Sequence, residues 1–327
     1  MKNYCIIGGA GFIGRHLVHY LHSRGKEISV IGRSEICDGF FPPDVAYFSG
    51  DYGDKHFLLD VIHDVDCVVN MASSSVSKVS FEDPIKDIIL NLPPNNNLFE
   101  TIGQTSVKRL VVISSGGTIY GKPRSIPIPE DHPTNPISPY GITKLIIEKY
   151  ALMYHELSDI PVICVRPSNV YGEGQKPYAG QGFIPTAIAS VLNGRVIAMF
   201  GQTGTIRDYI HITDTSKGIV SAAEFGAPGD IFNIGTGMGR TNKEILDIIS
   251  PLASKVGLDV KINLMPPRSV DVPANVLDIT RLKSVSGWKP EITIEEGILH
   301  LWNSMINIYS DKINWIWREL LKSKKNL

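Results

Sequence analysis

Tyr140 and Lys144 stand four residues apart in Ser138-Pro139-Tyr140-Gly141-Ile142-Thr143-Lys144, a run that predicts a helix opening after a proline turn. Side chains at that spacing leave the same helix face, so a phenol and an ammonium would meet. A phenol titrates near pH 10 and is a poor base at neutral pH, but a nearby positive charge favours the phenolate. The pair could then move a proton at a hydroxyl or carbonyl oxygen. Alone, such a pair is an ordinary surface feature. A second segment, Ser114-Ser115-Gly116-Gly117-Thr118-Ile119-Tyr120-Gly121, follows an apolar run. Its small residues let a ligand lie against the backbone, and its hydroxyls could hold a reacting oxygen.

Near the N-terminus, Gly8-Gly9-Ala10-Gly11-Phe12-Ile13-Gly14 follows the apolar run Tyr4–Ile7 and opens a segment with helical spacing. Gly8 permits a tight turn, Gly11 lets the backbone approach a pyrophosphate, and Gly14 allows close helix–strand packing. Phosphates would meet free N–H groups at Phe12 and Ile13, at the positive end of the helix. Three glycines weaken a helix start unless something must come close, so a dinucleotide, NADP or NAD, is the expected occupant. About twenty residues on, a carboxylate would bond the ribose 2′-hydroxyl of NAD. This chain carries Gly32-Arg33-Ser34 there. A guanidinium beside a hydroxyl suits a 2′-phosphate, so Arg33 points to NADP(H), with NAD(H) also compatible. Asp51-Tyr52 is an expected adenine contact, and Asn70-Met71-Ala72 would lie beside the nicotinamide ribose. A positive nicotinamide would reinforce the effect of Lys144 on Tyr140.

These groups need a scaffold. Apolar runs at Tyr4–Ile7, Ile28–Ile31, Val45–Phe48, Cys67–Met71, Leu110–Ile113 and Val162–Val165 alternate with helical spacing at Phe12–Leu21 and Phe57–Ile62. Fully apolar strands separated by helices predict a Rossmann-type doubly wound parallel sheet. Its ligand binds beyond the carboxyl ends of the strands. After residue 168 glycine and proline become frequent, which predicts a smaller C-terminal substrate-binding α/β domain. The expected division is 1–168 for the dinucleotide and 169–327 for the substrate, the two interleaved. The segment 294–321 reads as helix and ends in a basic tail.

With 327 residues, 43% hydrophobic, 20% charged and a formal net charge of −1, the chain reads as an ordinary globular protein without a wide basic field for nucleic acid. The four cysteines, Cys5, Cys37, Cys67 and Cys164, form no C-x-x-C pair and read as core thiols rather than metal ligands or disulfides. No stretch is long and apolar enough for membrane insertion, and no signal-type segment precedes the first strand. A cytoplasmic location is expected.

The whole pattern resembles the extended short-chain dehydrogenase/reductases, in the NAD(P)-dependent nucleotide-sugar epimerase, dehydratase and reductase family. The resemblance rests on Gly8–Gly14, Asp51, Ser114–Gly121, Tyr140 with Lys144, Arg166–Gly172, Arg207–Ile210, Asn233–Gly237 and Gly287–Pro290. It implies that Tyr140 is the acid/base and that Lys144 holds the nicotinamide ribose and lowers the Tyr pKa. The family's substrate-binding hydroxyl would fall at Gly116, a departure. Thr118, two residues on and on the same side of an extended segment, is the expected substitute, with Ser115 second. By the same resemblance Asn169 contacts the sugar diphosphate, Arg207 and Arg268 bind phosphate, and Asp271 contacts the nucleoside ribose. Val79–Lys86 and Pro177–Gly182 would line the sugar and base pockets. The family commonly dimerises through helices around Tyr140 and the segment before it.

Three reactions fit that resemblance. A 4,6-dehydratase needs an Asp-Glu pair where this chain has Gly117-Thr118. A UDP-hexose 4-epimerase keeps NAD and returns the hydride to the other face of the sugar. A 4-ketosugar reductase consumes NAD(P)H once, as in making deoxyhexoses for surface polysaccharides. Arg33 and Gly116 tilt the expectation to reduction of an NDP-4-keto-6-deoxyhexose. A non-enzymatic dinucleotide sensor would have lost Tyr140 or Lys144, and this chain keeps both.

Overall fold

Neighbouring residues along each apolar run enter opposite cores, which is why the runs have no polar face. Tyr4 and Ile6 of β1 (Asn3–Ile7) pack with Leu17, Val18 and Leu21 of α1 (Phe12–Ser23). Cys5 and Ile7 pack on the other side with Leu58 and Ile62 of α2 (Lys55–Ile62). The same alternation places Val69 and Val111 in the first core and Val68, Leu110 and Val112 in the second. The computed structural model describes residues 1–36, 39–74, 80–268 and 271–307. Cys37, Val79 and the basic tail with Trp315 and Trp317 lie outside the described residues.

The six expected runs are β1, β2 (Glu27–Gly32), β3 (Ala46–Ser49), β4 (Cys67–Asn70), β5 (Arg109–Ile113) and β6 (Val162–Pro167). With β10 (Ile231–Ile234) they form a seven-stranded parallel sheet in the order β10-β6-β5-β4-β1-β2-β3. This seventh strand pairs with β6 from far along the chain and was not anticipated from sequence. The chain order turns between β1 and β4, so the carboxyl ends there open a crevice.

Two helices on the second-core side carry the chemistry. Beyond α2, α3 (Pro84–Ile102) holds Pro93 and Pro94 in its interior. Its alternative to a broken helix is packing: Leu98, Phe99 and Ile102 are buried in the second core. Beside it runs α4 (Pro139–Ser158), with Pro139 in its first turn and Ser138 Oγ accepting from the Gly141 N–H at 3.1 Å. That cap fixes the start of the helix one residue before Tyr140.

The second half both joins the first and builds its own core. From it, α6 (Ile212–Phe225), between α5 (Phe183–Leu192) and α7 (Asn242–Lys255), packs Ile219, Val220, Ala222 and Ala223 into the first core. A separate cluster joins α5, α7 and the helix 294–307 around Tyr171, Ile188, Ile249 and Trp302. Between these cores β7 (Asn169–Tyr171) continues directly from β6 and pairs with β9 (Ile206–His211). Cys5, Cys67 and Cys164 are buried free thiols, and burial pushes their pKa values up. Among the described residues no helix is long and apolar enough to cross a membrane.

Candidate active site

The loop after β1 is shaped by its glycines in two different ways. Gly8 has φ +81°, and a Cβ there would lie 3.0 Å from Ala72 Cα, so the loop passes directly against the segment leaving β4. A Cβ on Gly14 would lie 2.5 Å from Gly9 Cα, which seats α1 onto its own entry loop. Gly11 differs. A Cβ there would meet only the Gly8 carbonyl, at 3.2 Å, and as N-cap it offers no side-chain acceptor. The first-turn N–H groups of Phe12, Ile13 and Gly14 have no intrahelical acceptor, and the turn holds no acidic residue. An anion fits this end.

The loop opens into a cleft of about 600 Å³. Gly8, Gly11, Phe12, Ile13 and Gly14 line one end of it, with Ser115, Thr118, Tyr140 and Lys144 beside them. From the second half come Asn169, Arg207, Arg268 and Asp271. Buried polar atoms of Ser114, Thr118, Ser168 and Asn169, all lining residues, have no hydrogen-bond partner among the described residues. Unmet polar groups in a crevice cost stability unless a polar ligand meets them. Together with the free helix start they fit a nicotinamide dinucleotide followed by a polar substrate.

Arg33 and Asp51 are not part of this lining. Both are exposed, at the ends of β2 and β3. Asp51 Oδ1 accepts from the Gly53 N–H at 2.9 Å, while Tyr47 closes the turn after β2 by donating to the Ser34 carbonyl at 2.5 Å. The predicted ribose corner is therefore an open shelf on the flank of the sheet.

Tyr140 and Lys144 do share one helix face, with Lys144 Nζ 5.8 Å from the Tyr140 ring centroid. The ammonium stands over the ring and donates to the Ile113 carbonyl at 3.0 Å, not to the phenol oxygen. Burial, with a contribution from Asp87, pushes the Tyr140 phenol up to about 12. Burial pulls Lys144 down to about 8, against an opposing pull from Asp87. Burial thus opposes the lowering of the Tyr140 pKa that Lys144 and a positive nicotinamide are expected to give.

The 114–121 segment also differs from expectation. It is a turn rather than an extended stretch, with the Ser115 carbonyl accepting from the Ile119 N–H at 3.2 Å. A Cβ on Gly116 would lie 2.5 Å from Leu277 Cδ1 and 2.8 Å from the Arg166 carbonyl. It would point into the packed interior, so a hydroxyl residue at 116 could not serve the cleft on this backbone. Asn275 Nδ2 fixes the Gly116 carbonyl at 3.0 Å. Thr118 reaches the cleft through the turn, not through strand alternation.

In the second half, Arg207 spends two contacts on the backbone, donating at 2.8 Å to the carbonyls of Ile206 and Val272. Burial lowers its pKa. Arg268 and Asp271 pair with each other through two 2.9 Å bonds, and the Arg268 guanidinium lies 4.0 Å from the Phe200 ring centroid. Gln181 and Gly182 line the cleft as expected of the Pro177–Gly182 loop; of Val79–Lys86, none of the described residues does. Sequence reading passed over Phe200, Ser73 and Gln175, which also line the cleft, and over Asp87 and Glu148; Ser80, in the expected Val79–Lys86 segment, meets the backbone of Tyr140 rather than the cleft. Ser80 Oγ accepts from the Tyr140 N–H at 3.0 Å. Glu148, one turn beyond Lys144, forms a buried bidentate pair with Arg166, which in turn donates to Tyr120 at 2.8 Å. Nothing in the local sequence marks these partners, because each meets its group from a distant segment.

A family model described as the NAD dependent epimerase/dehydratase family matches residues 4–235. A putative UDP-glucose 4-epimerase of Methanocaldococcus jannaschii is 33% identical over 92% of this chain and 98% of its own length. A dTDP-4-dehydro-6-deoxyglucose reductase of Escherichia coli is 28% identical over 90% of this chain and 95% of its length. Among solved structures, the UDP-glucose 4-epimerase of Thermotoga maritima with UDP-glucose superimposes with a TM-score of 0.86 at 29% identity. That match covers 94% of this chain and 99% of that one. The Thermus thermophilus UDP-glucose 4-epimerase in complex with NAD gives 0.84 at 31% identity, over 93% and 98%. From its fold, its glycine loop and these matches, the chain belongs to the NAD-dependent epimerase/dehydratase family of enzymes.

Proposed function

We propose that this enzyme reduces the C4 carbonyl of an NDP-4-keto-6-deoxyhexose with NAD(P)H. The observation that carries the reading is the Tyr140–Lys144 pair lining the cleft, with Lys144 buried and Tyr140 half-buried on one helix face. Reduction of a carbonyl needs a proton donor at the oxygen, and a phenol kept neutral is loaded for that role. A dinucleotide held at the Gly8–Gly14 loop would supply the hydride. Thr118, with Ser115 second, holds the C4 oxygen. Tyr140 gives its proton to that oxygen as the alkoxide forms, and Lys144, anchored to Ile113, keeps a positive charge under the site. Hydride plus proton converts the carbonyl to a secondary alcohol, so the balance closes with one oxidised dinucleotide.

Residues 1–168 would hold the dinucleotide and 169–327 the sugar nucleotide. Asn169, Arg207 and Arg268 suit a pyrophosphate, since guanidinium groups bond phosphates in a planar fork, and Asp271 suits a ribose hydroxyl. Arg33, exposed and without a neighbouring carboxylate in Gly32-Arg33-Ser34, supports NADP(H) over NAD(H). A homodimer is supported by the apolar outer faces of α3 and α4. Ile85 and Ile89 on α3 and Ile142, Tyr150, Met153 and Leu157 on α4 are exposed, and exposed apolar side chains along two packed helices suit a two-fold interface.

A second reading is a UDP-hexose 4-epimerase with retained NAD, favoured by the relatives bearing that name. One assay separates the two. Protein is mixed with NADPH and dTDP-4-keto-6-deoxyglucose while reduced-nicotinamide absorbance is followed, and in parallel with UDP-glucose alone. Stoichiometric loss of NADPH with sugar reduction is expected; UDP-galactose formation without cofactor consumption, and no reaction with the keto sugar, would overturn the reductase reading.

A further inference from the structure

Helix α3 carries a polar stripe on a face that is otherwise core. Asp87, Asn91 and Asn95 recur every four residues, and all three are at most 3% exposed. Buried polar groups persist when they are connected, and these are. Asn95 Oδ1 accepts from Asn70 Nδ2 at 2.8 Å, and Asn91 Oδ1 accepts from the Ser74 N–H at 2.8 Å. The stripe thus pins the segment that leaves β4 beside the cleft. At its other end, Thr143 donates to Asp87 Oδ2 at 2.5 Å and Asn91 Nδ2 donates to Asp87 Oδ1 at 3.3 Å.

Pinning alone does not call for a carboxylate. Asn91 and Asn95 make the same kinds of contact with neutral amides, at a lower desolvation cost than a buried charge carries. Thr143 can donate or accept, so an amide at position 87 could keep that contact. What sets position 87 apart is its neighbourhood, because Thr143 lies between Tyr140 and Lys144 on α4. Asp87 is tied to that residue, and its negative charge raises the pKa of both Tyr140 and Lys144.

We propose that Asp87 is a positioning residue for the proton-transfer pair: its buried carboxylate, clamped by Thr143 and Asn91, holds Tyr140 and Lys144 in their protonated forms. Burial works in opposite senses on the two groups, pushing the phenol toward neutral and the ammonium toward neutral. The carboxylate adds to the first effect and opposes the second, so it favours a neutral phenol beside a charged ammonium. The inference rests on Tyr140 being the acid/base and is independent of the direction of hydride flow.

The test replaces the charge and keeps the shape. In Asp87→Asn the Tyr140 phenolate is titrated by near-ultraviolet difference absorbance, subtracting the matching Tyr140→Phe protein, without substrate. Its midpoint is expected roughly one pH unit below that of the wild type, the size of shift a nearby buried charge gives. The pH profile of kcat/KM, with whichever sugar nucleotide turns over, should move the same way by a similar amount. Asp87→Ser, smaller and also neutral, should repeat the shift if the amide variant does not fold. Thr143→Val keeps the charge and leaves Asn91 to hold it, and its profile should stay in the wild-type position. A phenolate midpoint unmoved in the neutral variants, or a Thr143→Val shift equal to theirs, would overturn the proposal. Absence of turnover on every sugar tried would count against the function proposed above and leave the phenolate titration to decide this one.

Discussion

Lys144 Nζ donates at 3.0 Å to the carbonyl of Ile113, the last residue of β5. A strand end, not the phenol, thereby fixes the ammonium, which is 7% exposed. Its pKa in the folded chain is about 8 against 10.5 when free. Between those values the unfolded chain binds more protons, so stability rises with pH across that window. From pH 7 to pH 10.5 the wild type should gain about 3 kcal/mol relative to Lys144→Met, as read from denaturant unfolding at each pH. Equal pH dependence in the two proteins would contradict a buried, depressed lysine.

Tyr140→Phe removes only the phenol oxygen. Turnover should fall by roughly 10³-fold, within the range general acid catalysis contributes. Dinucleotide affinity, measured by quenching of protein fluorescence, should change little. A variant that retained a tenth of the activity would exclude Tyr140 as proton donor.

The two helix-start glycines should behave differently. Gly11→Ala meets only the Gly8 carbonyl at 3.2 Å, whereas Gly14→Ala collides with Gly9 Cα at 2.5 Å. The first should fold with near-normal thermal stability and bind dinucleotide at least tenfold more weakly, since its methyl group stands where phosphate approaches. The second should lose both, with about 1–3 kcal/mol of stability lost to overpacking. Unimpaired binding by Gly11→Ala would remove the pyrophosphate from this loop.

Gly116→Ser restores the family's usual hydroxyl, yet its Cβ would meet Leu277 and the Arg166 carbonyl. A loss of about 1–3 kcal/mol is expected, with no gain in rate. Thr118→Val should instead lower kcat by roughly 10- to 100-fold, the scale of one hydrogen bond to developing charge, while melting normally. The opposite pattern would move the substrate hydroxyl back to position 116.

On the proposed reading, cofactor choice turns on Arg33, an exposed residue. Arg33→Ala should weaken NADPH binding about tenfold and leave NADH binding unchanged, because a guanidinium pairs with the extra phosphate. Equal effects on both dinucleotides would remove Arg33 from the ribose corner.

Much of the cleft was legible in the sequence because its signals are local. Gly8–Gly14 announces itself by spacing and by its place between a strand and a helix. Tyr140 and Lys144 are four apart after a capped proline start. Helix α3 was missed because Pro93-Pro94 and Asn95–Asn97 oppose helix propensity, and packing on the second core overrides it. With α3 went Asp87, whose partners Thr143 and Asn91 become neighbours only when α3 and α4 pack. β10 was missed for the same reason, since its place beside β6 is a long-range pairing. Thr118 lines the cleft by way of a turn, not by the strand alternation on which the sequence argument rested.

Transfer of an isotopic label tests the central claim most directly. NADPH deuterated at the transferable position of its nicotinamide C4 is incubated with the enzyme and dTDP-4-keto-6-deoxyglucose, and the sugar is analysed by mass spectrometry. The account predicts one deuterium at C4 of the sugar for each NADPH oxidised. A sugar product without label, or label-free interconversion of UDP-hexoses by the same protein, would contradict it.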